Sequence, residues 1–391
     1  MRQIINHLLD NDLYKFSMQH AVINMFPYAK VKYEFINRGK TKFPEGFAEE
    51  LERQVKLMEN IQLSKEQKQW FKETCSYFPP PYFDFLYGYR YDPSEVQICQ
   101  INGDLKIKIE GYWHRTILWE VPLLALISEL YYEMIGKEGK WDRVIRKANN
   151  INKGFIFGDQ YLYFSEFGTR RRESFVNQNE VIHDLYEVMC KSFVGTSNVY
   201  FSWLYNIVPK GTHAHEWFMF HAAKYGYKIA NHLALEHWSE VFRGDLGIAL
   251  SDTFTSDIFF KAFDKKFAKL YDGVRHDSGD PFEFTDKTID HYNKLGINPA
   301  TKTIIFSDSL NVESAIKVKE YCENKISCSF GIGTSLINDV NLRPLNIVIK
   351  MTGVKPEGVN GWVPTIKLSD VKGKYTGDSK EIKMAQKILN L

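Results

Sequence analysis

Two histidines lie at the predicted start of a long helix, in the segment Gly211-Thr212-His213-Ala214-His215-Glu216-Trp217. A helix N-terminus favours anions, and a neutral imidazole is a good nucleophile or base near neutral pH. The spacing of two residues puts the rings on different helix faces, and no His-Glu-x-x-His motif is present, which argues against a metalloprotease-type zinc site. The pair is equally compatible with a functional site and with a structural role.

Polar residues follow short apolar runs at three places in the C-terminal part of the chain. Ser251-Asp252 and Ser307-Asp308 end two of these runs, and Phe330-Gly331-Ile332-Gly333-Thr334-Ser335 ends the third. Glycines there let backbone N–H groups approach an anion, and Thr334 adds a hydroxyl donor. This loop favours a phosphate site over a turn without a ligand, although it is not a Walker loop.

Two arginine-containing segments point to an anionic ligand. In Arg275-His276-Asp277-Ser278-Gly279-Asp280-Pro281 the arginine can bind a carboxylate through two hydrogen bonds, and the acids can orient ribose hydroxyls or hold Mg²⁺ through water. In Glu166-Phe167-Gly168-Thr169-Arg170-Arg171-Arg172 the aromatic ring and the cations suit a flat aromatic anion. A solvated loop and a basic surface are the structural alternatives. Gly195-Thr196-Ser197-Asn198 alone predicts little more than a helix cap.

The elements that must position these residues read as an α/β fold. Short apolar runs at 247–250, 303–306, 326–330 and 345–349 predict strands buried on both faces of a parallel sheet. Helical patterns at 256–270 and 286–295 lie between the first two runs. Because chemistry follows several successive strands, we predict an irregular or incomplete barrel rather than a doubly wound sheet.

The N-terminal third mixes helix and strand patterns. Asp10-Asn11-Asp12 predicts a helix start, residues 30–36 alternate as a strand, and Asn102-Gly103-Asp104 predicts the turn of a hairpin within 97–112. A chain of 391 residues suits one large and one smaller domain. We predict boundaries that give domains 1–118, 119–350 and a C-terminal segment 351–391 that packs on the N-terminal domain.

Composition excludes several classes of protein. The net charge is +2, so no basic excess indicates nucleic acid, and 44% hydrophobic with 25% charged residues is typical of a globular chain. The longest apolar stretch, 116–134, is interrupted by Glu120 and Glu129 and predicts a buried helix rather than a membrane span. Five cysteines without a CxxC pair, and an N-terminus unlike a signal peptide, indicate the cytoplasm.

Together, segments spread over nearly the whole chain resemble the nicotinate phosphoribosyltransferase family, in the family's order. The chain lacks the Thr-Gly-Gly-Thr signature of the nucleobase-salvage transferases, as the barrel group does. The matching segments are Asn11-Asp12-Leu13-Tyr14-Lys15, Tyr33-Glu34-Phe35-Ile36-Asn37-Arg38, Glu166-Phe167-Gly168-Thr169-Arg170-Arg171, Gly195-Thr196-Ser197-Asn198, the Gly211–Trp217 segment, the Arg275–Pro281 segment, Phe306-Ser307-Asp308, Ser329-Phe330-Gly331-Ile332-Gly333-Thr334 and Pro344-Leu345-Asn346-Ile347-Val348-Ile349-Lys350.

The resemblance implies an irregular α/β barrel with a sandwich-like domain built from the N-terminal region and parts of the C-terminus. It implies a homodimer with shared active sites. The implied reaction converts nicotinate and phosphoribosyl pyrophosphate, with Mg²⁺, into nicotinate mononucleotide and pyrophosphate. ATP hydrolysis would be coupled through a phosphohistidine, and position in the motif assigns that role to His215 rather than His213.

The resemblance also implies roles for individual residues. Phe167 and the partner subunit's Tyr14 would sandwich the pyridine, and Arg275 would hold its carboxylate. Arg170 and the partner subunit's Arg38 resemble phosphate or pyrophosphate contacts. The remaining residues resemble ribose- and metal-linked acids (Asp252, Asp277 and Asp308) and a loop for the 5′-phosphate (Gly331, Gly333 and Thr334); the direct metal ligands stay unassigned.

Ser197 bears on the choice of substrate. The nicotinamide-using relatives carry an acid at this place, which would repel a carboxylate, so a hydroxyl favours nicotinate. Three alternatives stay open: a sibling transferase for nicotinamide or quinolinate, a barrel lyase or isomerase for sugar phosphates, and a pyridine-nucleotide sensor without turnover.

Overall fold

The computed structural model describes residues 2–137, 139, 141–188, 191–340 and 342–391. The chain forms two compact units. Unit 1 contains Met1–His20, Lys32–Gly211 and Ile332–Lys350, and unit 2 contains Ala21–Val31, Thr212–Gly331 and Met351–Leu391. The domain boundaries predicted from the sequence stay predictions.

Helices and strands alternate along most of the chain. The helices are α1 (Leu13–Met25), α2 (Phe47–Leu57), α3 (Lys65–Thr74), α4 (Pro80–Gly88), α5 (Trp113–Thr116), α6 (Glu120–Met134), α7 (Arg143–Asp159), α8 (Phe175–Glu187), α9 (Val199–Tyr205), α10 (His215–Tyr225), α11 (Tyr227–Phe242), α12 (Ser256–Ala262), α13 (Lys265–Leu270), α14 (Pro281–Lys294), α15 (Val312–Cys322), α16 (Thr334–Ile337) and α17 (Ser379–Leu389). The strands are β1 (Lys30–Asn37), β2 (Val96–Ile101), β3 (Asp104–Tyr112), β4 (Phe164–Glu166), β5 (Phe193–Thr196), β6 (Arg243–Leu246), β7 (Ile248–Leu250), β8 (Gly273–His276), β9 (Thr303–Phe306), β10 (Ser327–Ile332), β11 (Ile347–Lys355) and β12 (Val363–Pro364).

Unit 2 is built on parallel strands in the order β10-β9-β8-β7. Leu250, Arg275, Ile305 and Ser329 lie in register across the four strands. The residues that follow β7, β8 and β9 therefore leave the sheet at the same edge. Three of the apolar runs predicted as parallel strands are confirmed. The sequence prediction missed β8, because its four residues include a single aliphatic side chain, Val274.

The α/β class is confirmed, but one predicted strand has a different partner. The run at 345–349 leads into β11, whose Gly353 and Val354 pair antiparallel with Pro364 and Val363 of β12. Its assignment to the parallel sheet was therefore wrong, because an apolar run does not reveal the direction of the strand beside it. Closure of the parallel strands into a barrel stays a prediction.

Unit 1 confirms the local predictions for the N-terminal third. A helix, α1, follows Asp10-Asn11-Asp12, and β2 pairs antiparallel with β3. Asn102 and Gly103 join these strands with positive φ angles of 51° and 78°, as a two-residue hairpin turn requires. α4 begins at Pro80, because proline fits the first turn of a helix.

The apolar stretch at 116–134 forms mainly α6, which is buried on almost every face, as predicted. None of the helices within the described ranges is both long and apolar enough to cross a bilayer. Cys75, Cys99, Cys322 and Cys328 are free thiols. Cys190 lies outside the described residues.

A fully buried ion pair fastens the segment after β4 within unit 1. Both terminal nitrogens of Arg172 bond the Asp10 carboxylate, at 2.8 and 2.9 Å, and Arg172 Nε lies 3.4 Å from Glu129. All three side chains are at most 1% exposed. A basic surface was the structural alternative for this segment, and Arg172 does not fit it, because its side chain lies in the core.

Arg172→Met is expected to lower the free energy of unfolding by about 3–5 kcal/mol, because it leaves the buried carboxylates of Asp10 and Glu129 without their cation. The measurement is the shift of the urea unfolding midpoint. The control is Arg53→Met, which removes an exposed pair with Glu50 and should shift the midpoint little. Equal shifts for the two variants would contradict the structural role given to Arg172.

Candidate functional site

His215 is the first residue of α10, and its ring is buried among polar groups of unit 2. Its Nε2 lies 2.9 Å from Asp277 Oδ2 and 2.9 Å from Lys367 Nζ. Its Nδ1 lies 3.0 Å from the hydroxyl of Thr253. Both ring nitrogens therefore have partners, and one of them faces a carboxylate and an ammonium together.

The surroundings keep the His215 ring neutral. Burial, followed by the nearby charge of Lys367, lowers the pKa of His215 to about 4, although Asp252 and Asp277 act in the opposite direction. A neutral imidazole keeps a lone pair on one nitrogen, so it can attack an electrophilic phosphorus near neutral pH.

Asp252 and Asp277 follow β7 and β8, at the edge where parallel strands end. Asp252 Oδ2 accepts a hydrogen bond of 2.6 Å from Ser278 and lies 3.2 Å from Lys367 Nζ. Asp277 Oδ1 accepts a 2.8 Å bond from Ser307, which follows β9. Burial opposes the charge of Asp277, but Arg275 and the bond to His215 hold the pKa of Asp277 well below its usual range.

The other predicted residues of unit 2 take different positions. His213 Nε2 accepts a 3.1 Å hydrogen bond from the backbone of Leu250, and its ring packs against Trp238, so His213 is a structural histidine. Asp308 bonds Lys374 at 2.6 Å rather than His215. Arg275 Nε is buried and has no hydrogen-bond partner, which leaves it available to an anion.

In unit 1, Glu166 links the loops that carry Phe167 and Ser197. Its buried carboxylate accepts hydrogen bonds from the Thr196 hydroxyl at 2.6 Å, from the Gln178 amide at 3.1 Å and from Gly168 N–H. The backbone of Ser197 also donates to Glu166 O, at 2.9 Å. Burial raises the pKa of Glu166 to about 7 against these donors. Phe167 remains half-buried, with part of its side chain open to solvent.

The Ser197 hydroxyl donates its single proton to buried Asp12, at 2.8 Å. In this arrangement the hydroxyl has no second proton for a ligand carboxylate. Burial raises the pKa of Asp12, while the charge of Arg170 lowers it. The Asn198 side chain caps α9, as its sequence position suggested.

Cations of unit 1 gather near Arg170. Arg170 lies 3.5 Å from Glu120, which also bonds buried Lys15 at 2.5 Å. Burial, followed by the charges of Arg170 and Arg38, lowers the pKa of Arg171 to about 10. The mutual repulsion of these guanidinium groups would be relieved by an anion.

The glycine-rich loop after β10 lies against the Phe167 segment. Ile332 O accepts a 2.8 Å hydrogen bond from Phe167 N–H, and a Cβ on Gly333 would lie 3.0 Å from Phe167 O. A Cβ on Gly168 would lie 2.2 Å from Ile337 of α16. Both glycines are therefore required for close packing, and the short helix α16 begins directly after them, at Thr334.

The strongest candidate for a metal site in unit 2 is formed by His215, Asp252 and Asp277, whose ligand atoms all lie within 4.8 Å of one another. Asp252 Oδ1 is buried without a hydrogen-bond partner. Carboxylate oxygens suit Mg²⁺, so the unpaired oxygen fits such an ion. The ammonium of Lys367 already lies against the other oxygen of Asp252, so part of the negative charge of the two carboxylates is balanced without a metal ion.

Sequence reasoning missed Lys367, Glu166 and Asp12 as partners of the predicted residues. Lys367 is 152 positions from His215, and no periodicity or spacing connects them. Glu166 and Asp12 lie inside the segments singled out above, where an acid beside a predicted ligand-binding residue was the available clue.

Two family models match the chain. The model described as the nicotinate phosphoribosyltransferase (NAPRTase) family matches residues 162–391, and the model of its N-terminal domain matches residues 9–128.

Curated relatives and solved structures agree over full length. The chain is 53% identical to nicotinate phosphoribosyltransferase of Chromohalobacter salexigens over 390 residues, which cover 99% of each chain. It is 49% identical to that of Desulforapulum autotrophicum over 386 residues, again 99% of each. The crystal structure of nicotinate phosphoribosyltransferase from Porphyromonas gingivalis superposes with a TM-score of 0.97 at 42% identity, covering 99% of this chain and 100% of that one.

Comparison of the wild type with His215→Asn is expected to show that His215 is neutral in the folded chain, through the pH dependence of the free energy of unfolding. The pKa of His215 is about 4 in the folded chain against 6.5 for the free group, so only the unfolded chain takes up its proton as pH falls below 6.5. The wild type should lose about 1.4 kcal/mol per pH unit over this range relative to the variant. Urea unfolding of both proteins between pH 6.5 and about 4.5 measures the difference. A difference independent of pH would contradict a neutral buried His215.

Proposed function

The chain belongs to the nicotinate phosphoribosyltransferase family, and on that premise we propose that it joins nicotinate to phosphoribosyl pyrophosphate. The products are nicotinate mononucleotide and pyrophosphate, and the reaction serves pyridine nucleotide salvage. The pyridine nitrogen forms a bond to the anomeric carbon while the bond from that carbon to pyrophosphate breaks. The sugar becomes oxocarbenium-like as the leaving group departs.

The buried, neutral His215 is the observation that carries the coupling to ATP. A ring nitrogen takes the γ-phosphoryl group of ATP and releases ADP, and water later removes the phosphate. Asp277, whose Oδ2 lies 2.9 Å from Nε2, helps to orient the ring. The phosphoryl group adds charge near the substrates, which can order them or a loop.

Mg²⁺ is the proposed metal, and Asp252 and Asp277 would help to hold it. Asp252 offers an oxygen without a hydrogen bond, and Asp277 is a carboxylate on the neighbouring strand end. Mg²⁺ with few protein ligands is typical of sites that bind phosphates. The ion would neutralise the charge that develops on the departing pyrophosphate.

We assign the pyridine ring to Phe167, which is half-buried after β4, and its carboxylate to Arg275, whose Nε has no partner. Arg170 would contact phosphate or pyrophosphate. Ser197, which bonds Asp12, would favour nicotinate because its neutral side chain, unlike an acid at this position, does not repel the nicotinate carboxylate.

We further propose a homodimer with shared sites, in which the partner subunit's Tyr14 stacks on the pyridine and the partner subunit's Arg38 contacts phosphate. Gly331, Gly333 and Thr334 would hold the 5′-phosphate, and Asp308 would act on ribose or metal. The four free thiols among the described residues support a cytoplasmic location.

The direct experiment supplies purified protein with Mg²⁺, phosphoribosyl pyrophosphate and one of nicotinate, nicotinamide or quinolinate, with and without ATP. Of the three pyridines, only nicotinate should yield a mononucleotide and pyrophosphate, and the reaction should be faster with ATP. His215→Ala should lose the acceleration by ATP but keep slow transfer, because the ring is not needed to join the substrates. His183→Ala, which changes a histidine on α8, is the control and should keep both. If none of the three pyridines gave a product, the proposed function would be overturned. If His215→Ala kept the full stimulation by ATP, the assignment of the phosphohistidine to His215 would be overturned.

A matched pair of variants tests the role of Ser197. Ser197→Asp and Ser197→Asn have nearly the same shape, but only the first adds a negative charge beside Asp12. Ser197→Asp should raise the KM for nicotinate at least about tenfold above that of Ser197→Asn, through repulsion of the carboxylate. Steady-state kinetics of both variants, with nicotinate varied, gives the ratio. Equal KM values would exclude charge as the means of selection.

A further inference from the structure

Lys367 is a buried lysine whose position is built into the fold of unit 2. Its Nζ lies 2.9 Å from His215 Nε2 and 3.2 Å from Asp252 Oδ2, and its side chain is 9% exposed. Two backbone hydrogen bonds of 2.9 Å join Lys367 and Thr376. A Cβ on Gly377 would lie 2.6 Å from Ile366, so the two backbone segments approach closely. Lysine is rarely buried without a paired charge.

The hydrogen-bond requirements at His215 Nε2 cannot all be met at once. An ammonium only donates and an ionised carboxylate only accepts. A proton on Nε2 satisfies Asp277 and leaves Lys367 to Asp252, whereas a lone pair on Nε2 accepts from Lys367 and leaves Nδ1–H to Thr253. Lys367 therefore bonds the Asp252 carboxylate in one tautomer and the ring itself in the other.

The charges of the cluster explain why a cation is needed beside this ring. Asp252 and Asp277 contribute two negative charges, and Lys367 and Arg275 contribute two positive ones. A phosphoryl group on His215 adds about 1.5 to 2 further negative charges. Without Lys367, Arg275 is the one positive side chain left among these four residues, and the phosphorylated ring would lie beside two carboxylates without a neighbouring ammonium.

We propose that Lys367 is the positioning residue of the phosphohistidine: its ammonium orients the His215 ring and supplies the positive charge that lets this ring carry phosphate beside Asp252. The inference rests on the proposed function. In the step concerned, the lone pair of the unprotonated ring nitrogen forms a bond to the γ-phosphorus of ATP. The bond from that phosphorus to the bridging oxygen breaks, ADP leaves with the electron pair, and the ring proton stays on the other nitrogen.

The test compares the wild type with Lys367→Met, which removes the charge, and Lys367→Arg, which keeps it. Lys372→Met is the control, because Lys372 is an exposed residue of the same C-terminal segment. Each protein receives ATP labelled in the γ-phosphate with Mg²⁺, and the acid-labile, alkali-stable label on the chain is counted. Mononucleotide formation is followed in parallel with and without ATP, and circular dichroism checks the fold.

Lys367→Met should carry at least about tenfold less label than the wild type, the effect of about 1.4 kcal/mol of lost stabilisation. The ratio of its transfer rate with ATP to its rate without ATP should fall towards one. Lys367→Arg should recover part of the label, and Lys372→Met should match the wild type. This pattern separates a charge beside the phosphate from a merely structural lysine, because a structural loss would lower transfer with and without ATP alike.

Two results would overturn the inference while leaving the proposed function in place. One is a Lys367→Met protein labelled like the wild type. The other is equal loss of label in Lys367→Met and Lys367→Arg with loss of ATP-independent transfer, which marks a structural role. A wild type that neither takes label nor makes mononucleotide would instead remove the proposed function.

Discussion

The arrangement of unit 2 around its candidate site depends on one nitrogen atom, Nε2 of His215. The Asp277 carboxylate and the Lys367 ammonium each lie 2.9 Å from it, and it can form a hydrogen bond with only one of them at a time. A neutral ring in this position keeps a lone pair for chemistry while its orientation is fixed from both sides. The parallel strands supply the geometry, because the registered ends of β7 and β8 deliver Asp252 and Asp277 to one edge. The C-terminal segment then adds Lys367, which no strand end provides.

In unit 1, buried polar contacts hold the short loops that carry Phe167 and Ser197. Glu166 accepts hydrogen bonds from groups on both loops, and the Arg172–Asp10 pair anchors the chain just beyond Phe167. Buried charges of this kind are costly unless every donor and acceptor is used. The result is a half-buried Phe167 and a hydroxyl, Ser197, which polar contacts hold in addition to the close packing at Gly168 and Gly333.

The sequence predicted the fold class, which is confirmed, and it named candidate site residues, which stay predictions, but it did not predict the contacts among them. Runs such as 303–306 predicted parallel strands because their residues are apolar without alternation, and 345–349 had the same pattern although β11 pairs with an antiparallel neighbour. His213 and His215 could not be ranked by spacing, and the motif resemblance chose between them. Lys367 was invisible because a buried lysine and an exposed one look alike in a sequence, and its partner is distant along the chain.

In the proposed reaction, His215 stores phosphate taken from ATP and releases it as the substrates are used. The most direct measurement locates the phosphate: the protein is treated with ATP and Mg²⁺, digested under alkaline conditions, and its peptides are read by mass spectrometry before and after nicotinate and phosphoribosyl pyrophosphate are added. Phosphate is expected on the peptide that contains His215, and it should disappear when the substrates are added. Phosphate on another residue, on none, or unchanged by the substrates would contradict the proposed role of His215.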